Sequence, residues 1–361
     1  MQFTLMFILL FLIFFIIKIL LLKSTPSETA AGAIVMGCGI FINGAMKNIP
    51  LLENKAGKIL TTSLLIIWIF IAASFIESAI KKTINEIHFK DAIKSFGVGT
   101  WVAGTSVCGI AVFQRIHELV TFARVMFWGN LALWALYLAI CIRNYGAIFS
   151  QGLYSKVHGI LLLSTVSTQS IVVFGNTIFG DKFPKLVSTS LIYLGIALYI
   201  LAFILIIRKY FFSKEWNLED GWTNTNCILH GAMSITGLAS AVSGAINYNL
   251  VLFIWLWILL WFIIVEFIEI LRAIKRVNKY GFIKGVAVYN VTQWSRIFTF
   301  GMLYTFTMKF NLSLATLTSK FLFSIQNFIL RSGTWIMVLI LLYEGVLYFI
   351  YQPKNRLGKS A

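Results

Sequence analysis

The sequence predicts an all-α polytopic membrane protein. Of its 361 residues, 59% are hydrophobic and only 12% are charged, with a mean hydropathy of +0.86. Soluble domains carry about 25% charged residues, so a water-soluble fold could not bury this much apolar surface. The apolar segments run for about 20 residues, the length of a helix that crosses a bilayer. The strands of a membrane barrel would be about half as long and would alternate in polarity, so the pattern favours helices.

Eleven segments have the length and apolar composition of a membrane span. An N-terminal segment, Gln2–Leu22, is followed by ten more, which we number as spans 1 to 10. In order, these ten are Ala30–Met46, Ile59–Ser78, Phe96–Ile116, Thr121–Ile142, Val157–Asn176, Leu186–Arg208, Leu229–Ile246, Asn249–Leu271, Asn290–Lys309 and Thr334–Tyr351.

The N-terminal segment is interpreted as an extra helix. A secretory signal peptide would begin with basic residues and have a shorter apolar core, whereas Lys18 and Lys23 follow a long apolar run. The alternative is a removed or interfacial segment. We therefore expect an extra transmembrane helix within residues 1–24 and a single transmembrane domain over residues 25–361, with short connections that leave no room for an appended soluble domain.

The net charge of +17 follows membrane topology. With the segment before span 1 in the cytoplasm, 18 of the 30 basic residues lie on the cytoplasmic side and 10 on the outer side. This bias follows the positive-inside rule. It predicts a multi-pass protein of the cell membrane, inner or plasma, with the lipid bilayer as its surroundings, and it argues against a nucleic-acid partner.

The spans alternate in composition along the chain. Gly, Ser and Thr make up 31 of the 96 residues in the odd-numbered spans but only 13 of the 106 residues in the even-numbered spans. Bulky aliphatic and aromatic side chains suit lipid, while small, weakly polar side chains suit the wall of a pore. The alternation predicts five hairpins, each with one inner and one outer helix. For any one small residue, close packing between helices is the alternative.

Three inner spans supply most of the candidate pore-lining residues. In spans 3 and 7 these residues recur every three or four positions and so share one face of a helix. In span 5 they belong to a dense polar run that a hydrated cavity could satisfy. The candidates are Gly97, Thr100, Gly104, Ser167, Thr168, Gln169, Ser234 and Gly237, together with Thr299 in span 9.

Other kinds of site find little support. The four cysteines lie far apart without metal-ligand spacing, and neither a phosphate-binding loop nor a dinucleotide fingerprint is present. The aspartates Asp91, Asp181 and Asp220 all lie in loops, which argues against a Ser, His and Asp set within the membrane. We therefore expect no metal, no cofactor and no enzymatic activity. A lipid-modifying membrane enzyme or a scaffold remains the alternative class, since basic loops could hold lipid headgroups.

Several segments resemble the tellurite-resistance/dicarboxylate transporter family, which includes the slow-type anion channels. They are Phe96–Trp101, Ser167–Ser170, His230–Gly237 and Trp294–Met302. The resemblance implies a ten-helix, quasi-fivefold ring with inner odd and outer even helices, one pore per subunit and a homotrimer. It also implies small anions as solutes, of the chloride or nitrate type, C4-dicarboxylate, sulfite or a tellurite-type oxyanion.

The same resemblance points to a gate in span 9. The family carries a pore-plugging phenylalanine in a stretch that reads aromatic-Thr-Phe-Pro, and here Phe298-Thr299-Phe300-Gly301 stands in its place. The match makes Phe300 the candidate gate, with plain packing as the alternative. Glycine replaces the proline, and it too permits a bend because it weakens a helix.

Arg296 is the candidate for anion attraction, since an arginine near a pore mouth raises the local anion concentration. The alternative is that it belongs with the arginines of the inner leaflet. The sequence thus predicts an anion channel or transporter. A proton-coupled C4-dicarboxylate or malate transporter is the alternative, with few titratable groups to supply the coupling.

Overall fold

The computed structural model describes residues 2–21, 27–212 and 216–357. The predicted boundary between residues 24 and 25, and the basic residues Lys23, Lys214 and Lys359, lie outside this part of the chain. The described residues form helices and connecting turns, with no β-strand among them. The α-helices are α1 Gln2–Leu21, α2 Gly32–Asn43, α3 Pro50–Ile80, α4 Gly99–Arg115, α5 Val120–Ser150, α6 Leu163–Phe179, α7 Lys185–Phe212, α8 Leu218–Gly221, α9 Ile228–Ser243, α10 Tyr248–Gly285, α11 Trp294–Lys309 and α12 Lys320–Leu357.

The odd spans correspond to α2, α4, α6, α9 and α11, and the even spans to α3, α5, α7, α10 and α12. In the described chain, seven helical stretches are long and apolar enough to cross a membrane, which confirms an all-α polytopic membrane protein. The inner helices α2, α9 and α11 are shorter, with 12, 16 and 16 residues. Turns of 3₁₀-helix at Ala45–Asn48, Asn224–Cys227 and Val291–Gln293 extend them.

The five inner helices contact one another in cyclic order. α2 packs against α4, α4 against α6, α6 against α9, α9 against α11, and α11 returns to α2. Each outer helix lies against at least one inner helix; α5, for example, contacts both α4 and α6. These contacts accord with the predicted ring of hairpins, whose fivefold symmetry stays a prediction.

Burial separates the two classes of helix. In the stretches Lys94–Arg115 and Gly159–Lys182, which contain α4 and α6, 89% and 94% of the most apolar window is buried within the protein. The matching figures for the five outer stretches lie between 22% and 39%. The outer helices therefore present most of their apolar surface to the outside, as helices facing lipid would.

The N-terminal helix α1 lies along the outer helix α3. The Lys58 ammonium stands over the Phe3 ring near the start of α3, at 5.3 Å from its centroid. Farther along the same pair, the rings of Phe11 and Phe70 have centroids 5.3 Å apart. The two helices thus run parallel, so the N-terminus of α1 lies at the end where α3 begins, which the charge-based topology predicts to be outside.

The ends of the outer helices follow local rules. Pro50 occupies the first turn of α3, where its missing N–H costs no hydrogen bond. The Asn247 side chain caps α10 by accepting a hydrogen bond from the Asn249 amide. Near its other end α10 is interrupted at Gly281, whose φ of 76° is open to glycine but costly for other residues.

Close packing of the inner helices depends on glycine residues, which have no side chain at the contact. A Cβ atom on Gly231 of α9 would overlap Cγ2 of Thr299 on α11. A Cβ on Gly32 of α2 would lie 2.6 Å from the carbonyl carbon of Thr100 on α4. Small residues therefore set the distance between neighbouring inner helices.

We expect Gly231→Ala to destabilise the folded protein by about 1–3 kcal/mol, the usual cost of forcing an extra carbon into a packed core. Gly129→Ala is the matched control, since nothing lies within 4 Å of a Cβ built there. Thermal unfolding of both purified variants checks this. Equal unfolding temperatures would contradict the close approach of α9 and α11.

Candidate functional site

A cavity of about 60 Å³ lies among the five inner helices, at the end where α2 and α11 finish and α3 begins. Every inner helix contributes to its wall. The topology predicted from charge places this end on the outer side. The lining residues are Ile40, Asn43, Lys47, Ser106, Val107, Ile110, Gln114, Ser170, Val173, Thr177, Ile235, Leu238, Val242, Met302, Thr305 and Lys309.

The spacing of the lining residues identifies the face that each helix turns to the cavity. On α11 the lining positions are Met302, Thr305 and Lys309, and on α9 they are Ile235, Leu238 and Val242. Residues three and four apart share one face of a helix. Of the sixteen lining residues, seven are aliphatic and six carry a hydroxyl or amide group, so the wall apart from its lysines is weakly polar.

Two lysines stand at the mouth of this cavity. Lys47 belongs to the turn after α2 and Lys309 ends α11. The Lys47 ammonium donates a hydrogen bond of 3.1 Å to Oε1 of Gln114. Burial lowers the pKa of Lys47, and the positive charges of Arg115 and Lys309 lower it further. The Glu53 carboxylate acts in the opposite direction and raises the pKa in part.

Acidic groups do not line this cavity. Glu53 on α3 is not among the lining residues; it pairs with Arg115 at 3.0 Å, and its charge also acts on Lys47. The sequence contained the signal for this mouth, because Lys47 and Lys309 stand at the outer ends of spans 1 and 9. The charge bias assigns both lysines to membrane topology and so hides their place at the cavity.

Hydroxyl groups lie deeper in the wall. The Asn130 amide donates to Oγ of Ser106 at 2.9 Å, and the Ser106 hydroxyl donates to Oγ of Ser170 at 3.0 Å. The Ser170 hydroxyl in turn donates to the carbonyl of Ser167 at 2.7 Å. Their hydrogen bonds stay within the protein, so this part of the wall is weakly polar.

The candidate gate Phe300 and its neighbour Phe298 lie on opposite sides of α11. Phe298 is four residues before Met302 and seven before Thr305, which places it on the cavity face one turn deeper, where it is fully buried. Phe300 instead packs against outer helix α10, with its ring centroid 5.0 Å from that of Phe262. It also contacts His230, at 6.2 Å between ring centroids.

The predicted pore-lining residues of α6 contact outer helices or their own helix. Thr168 accepts a hydrogen bond from the Trp134 indole of α5 at 3.1 Å. Gln169 donates to the carbonyl of Ile192 on α7 at 3.0 Å. Ser167 donates to the carbonyl of Ser164. The cavity wall on this helix is formed instead by Ser170, Val173 and Thr177.

The other predicted pore-lining residues also lie at helix contacts. On α4, Thr100 and Gly104 face α2; Gly97, in the 3₁₀ turn before α4, packs against Thr29. On α9, the Ser234 hydroxyl donates a hydrogen bond to the carbonyl of His230, and a Cβ at Gly237 would overlap the Phe306 ring. Thr299 lies against Gly231. None of the nine is among the residues that line the outer cavity, so packing of the inner helices is the role that these contacts support.

Arg296 is held by carboxylates of α10. Its guanidinium lies 2.8 Å from Glu269 and 3.7 Å from Glu266. Glu269 also pairs with Arg272 at 3.2 Å and accepts a hydrogen bond from the Trp222 indole at 3.0 Å. Two arginines thus face two carboxylates, and the cluster presents little net positive charge to an approaching anion.

We expect Arg296→Met to lower stability by about 3–5 kcal/mol, because it leaves Glu266 and Glu269 short of a partner in a largely buried site. The control is Lys58→Met, which breaks the exposed pair between Lys58 and Glu118; exposed pairs contribute about 0–1 kcal/mol. Denaturation of both variants checks this. If the two lost the same stability, the Arg296 cluster would not be a structural element.

The sequence also matches a known protein family. Residues 26–346, almost the whole chain, match the sequence profile of the voltage-dependent anion channels. No curated protein matches the chain significantly.

Proposed function

The chain belongs to the voltage-dependent anion channel family, and we propose from that premise that it conducts small anions through the space enclosed by α2, α4, α6, α9 and α11. The observation that carries this proposal is the outer cavity, to which all five inner helices contribute and at whose mouth two lysines stand without a carboxylate in the wall.

The charges at the mouth support anions over cations. Two unit charges 4 Å apart interact by about 1 kcal/mol in water and about 4 kcal/mol at an effective dielectric constant of 20. Lysines at a narrow mouth therefore concentrate anions and repel cations. The weakly polar wall below holds an anion loosely, so that it can leave again, as conduction requires. Chloride, nitrate, sulfite, a C4-dicarboxylate and a tellurite-type oxyanion are the solutes to compare.

The gate that we propose is Phe298 rather than Phe300. A buried aromatic ring on the cavity face closes a pathway more directly than a ring packed against an outer helix. The family pattern supplies an aromatic residue at both positions, so the motif alone does not choose between them. The geometry of α11 favours Phe298.

A proton-coupled C4-dicarboxylate transporter is the second candidate, and one observation favours it. His230 is buried, and neither of its ring nitrogens has a hydrogen-bond partner among the described residues. Its Nε2 lies 3.6 Å from Oε1 of Glu266. A histidine and a carboxylate in the membrane are candidates for binding and releasing a proton.

Anion efflux from liposomes tests both candidates. The full chain is reconstituted, and efflux of each anion is compared with that from protein-free liposomes. Channel activity predicts anion efflux that does not depend on a pH gradient. Coupled transport predicts dicarboxylate movement that follows the pH gradient and is lost in His230→Gln. Efflux equal to that of empty liposomes for every anion would refute anion permeation.

We also propose a homotrimer in the cell membrane, with one pathway per subunit, because the resemblance to the tellurite-resistance/dicarboxylate transporter family implies it. Outer helices such as α12 expose Trp335, Leu339 and Leu342, which suit either lipid or a neighbouring subunit. Native mass spectrometry of the purified protein distinguishes a trimer from a monomer.

A further inference from the structure

A second cavity, of about 270 Å³, lies at the periphery of the helix ring, between outer and inner helices. It is close to the lower end of the range of about 300–1,000 Å³ that is typical of ligand sites. Its walls come from α3, α4 and α5, with α2 at its floor. We call it the lateral groove and define it by Trp68, Ala72, Phe75, Ile76, Trp101 and Leu133.

The floor of the lateral groove is the contact between two inner helices. Gly32 of α2 and Thr100 and Gly104 of α4 line it. Two of the predicted pore residues thus face outward, toward this groove. An occupant of the groove would rest directly on the close contact between α2 and α4.

The length of the groove matches one leaflet of a bilayer. Along α3 the lining runs from Trp68 to Ala79, a rise of about 16 Å for a helix. The hydrocarbon core of a bilayer is about 30 Å thick, so one leaflet accounts for half of that. Ile76 and Ala79 are exposed at the edge of the groove, where lipid chains have access.

The two indole N–H groups in the walls of the groove already have hydrogen-bond partners. The Trp68 indole donates to Oγ1 of Thr105 at 2.9 Å, and the Trp101 indole donates to the carbonyl of Thr29 at 2.7 Å. The rings of Phe75 and Trp101 stack with centroids 3.7 Å apart. Such walls suit a hydrocarbon chain.

Positive charge marks the cytoplasmic end of the groove. Lys81 and Lys82 lie between Ala79 and Ile84, both of which line the groove. Lys81 pairs with Glu77 at 2.5 Å, whereas Lys82 is exposed and pairs with no carboxylate among the described residues. A free ammonium at the depth of the headgroups attracts an anionic lipid.

We propose that the lateral groove binds an acyl chain of an anionic phospholipid of the cytoplasmic leaflet, with the phosphate of its headgroup at Lys82. The chain fills the space between α3 and α5, and the headgroup fixes its end. The site lies on the opposite side of α4 from the anion pathway and does not depend on which solute the protein conducts.

Photolabelling of the reconstituted full chain tests the site. The probes are phosphatidylglycerol and phosphatidylcholine with a diazirine in one acyl chain, and labelled peptides are mapped by mass spectrometry. We expect labelling by phosphatidylglycerol to concentrate on α3 after Trp68 and on the start of α4. Ala72→Trp, which fills the groove, should reduce this labelling to the level of other lipid-facing helices. Ala197→Trp on the exposed face of α7 should leave it unchanged.

A second variant tests the headgroup. Lys82→Gln should lower phosphatidylglycerol labelling about fivefold, the factor expected for one basic residue near an anionic surface, and leave phosphatidylcholine labelling unchanged. Lys55→Gln, an exposed lysine near the other end of α3, serves as the control. Labelling spread evenly over the outer helices, or chain-to-chain contact in the groove, would overturn the proposal. So would equal labelling by the two lipids.

Discussion

The double variant Lys47→Glu/Lys309→Glu is expected to reduce anion efflux from liposomes at least about tenfold. Each substitution replaces a positive with a negative charge at the mouth of the outer cavity. A change of about 1.4 kcal/mol in the energy of an anion at the mouth is enough for a tenfold effect. One unit charge about 4 Å from an anion changes its energy by about 1 kcal/mol even in water, so the reversal of two charges at that distance exceeds this threshold. Higher salt should shrink the difference, since exposed charges are screened.

The control is a second double variant that has the same change of net charge at lysines on the outer side of the membrane but away from the cavity. Lys55 on α3 and Lys185 on α7 are exposed at the outer ends of outer helices, away from the cavity wall. Lys55→Glu/Lys185→Glu should therefore leave efflux close to that of the natural chain. Equal loss in both double variants would show that overall surface charge, rather than the mouth of the cavity, sets the rate.

Phe298→Ala is expected to raise anion efflux several-fold, while Phe300→Ala leaves it nearly unchanged. Phe298 is on the cavity face of α11, and removal of its ring opens the space below Met302. Phe300 packs against Phe262 of α10, so its loss leaves a hole beside the outer helix. Single-channel recording in planar bilayers measures the effect directly.

The folded state of both variants needs its own measurement. Truncation of a buried phenylalanine to alanine costs about 3–5 kcal/mol in a protein core. Phe298→Leu keeps more of the volume and should give an intermediate current. If equally monodisperse samples gave a larger current for Phe300→Ala than for Phe298→Ala, the gate would be Phe300 and not Phe298.

The sequence was a good guide to which helices are inner and outer. Gly, Ser and Thr in the odd spans allow the close contacts seen at Gly231 and Gly32, and bulky residues in the even spans leave those helices exposed. That distinction depends on whole-helix composition, which a sequence contains. The closing 3₁₀ turns of α2 and the short α9 and α11 were not foreseen, because hydropathy does not report helix geometry.

The face of each inner helix was harder to predict. Ser167, Thr168 and Gln169 are polar, yet their hydrogen bonds go to backbone carbonyls or to an indole of an outer helix, which satisfies them without water. Composition alone cannot separate a hydroxyl that bonds locally from one that faces a cavity. The partners of Arg296 lie about 30 residues earlier in the sequence, on another helix, and no local sequence pattern predicts this pairing.

Cysteine accessibility tests the central proposal, that anions pass between the five inner helices. Thr177 lines the cavity on α6, while Thr189 lies on the neighbouring outer helix α7 and not in the cavity wall. The native cysteines Cys108, Cys141 and Cys227 are buried and Cys38 is partly buried, so the natural chain should react little. A negatively charged methanethiosulfonate added from outside should block anion efflux through Thr177→Cys and spare Thr189→Cys. Efflux through a fully modified Thr177→Cys that continues unchanged would contradict passage through this ring.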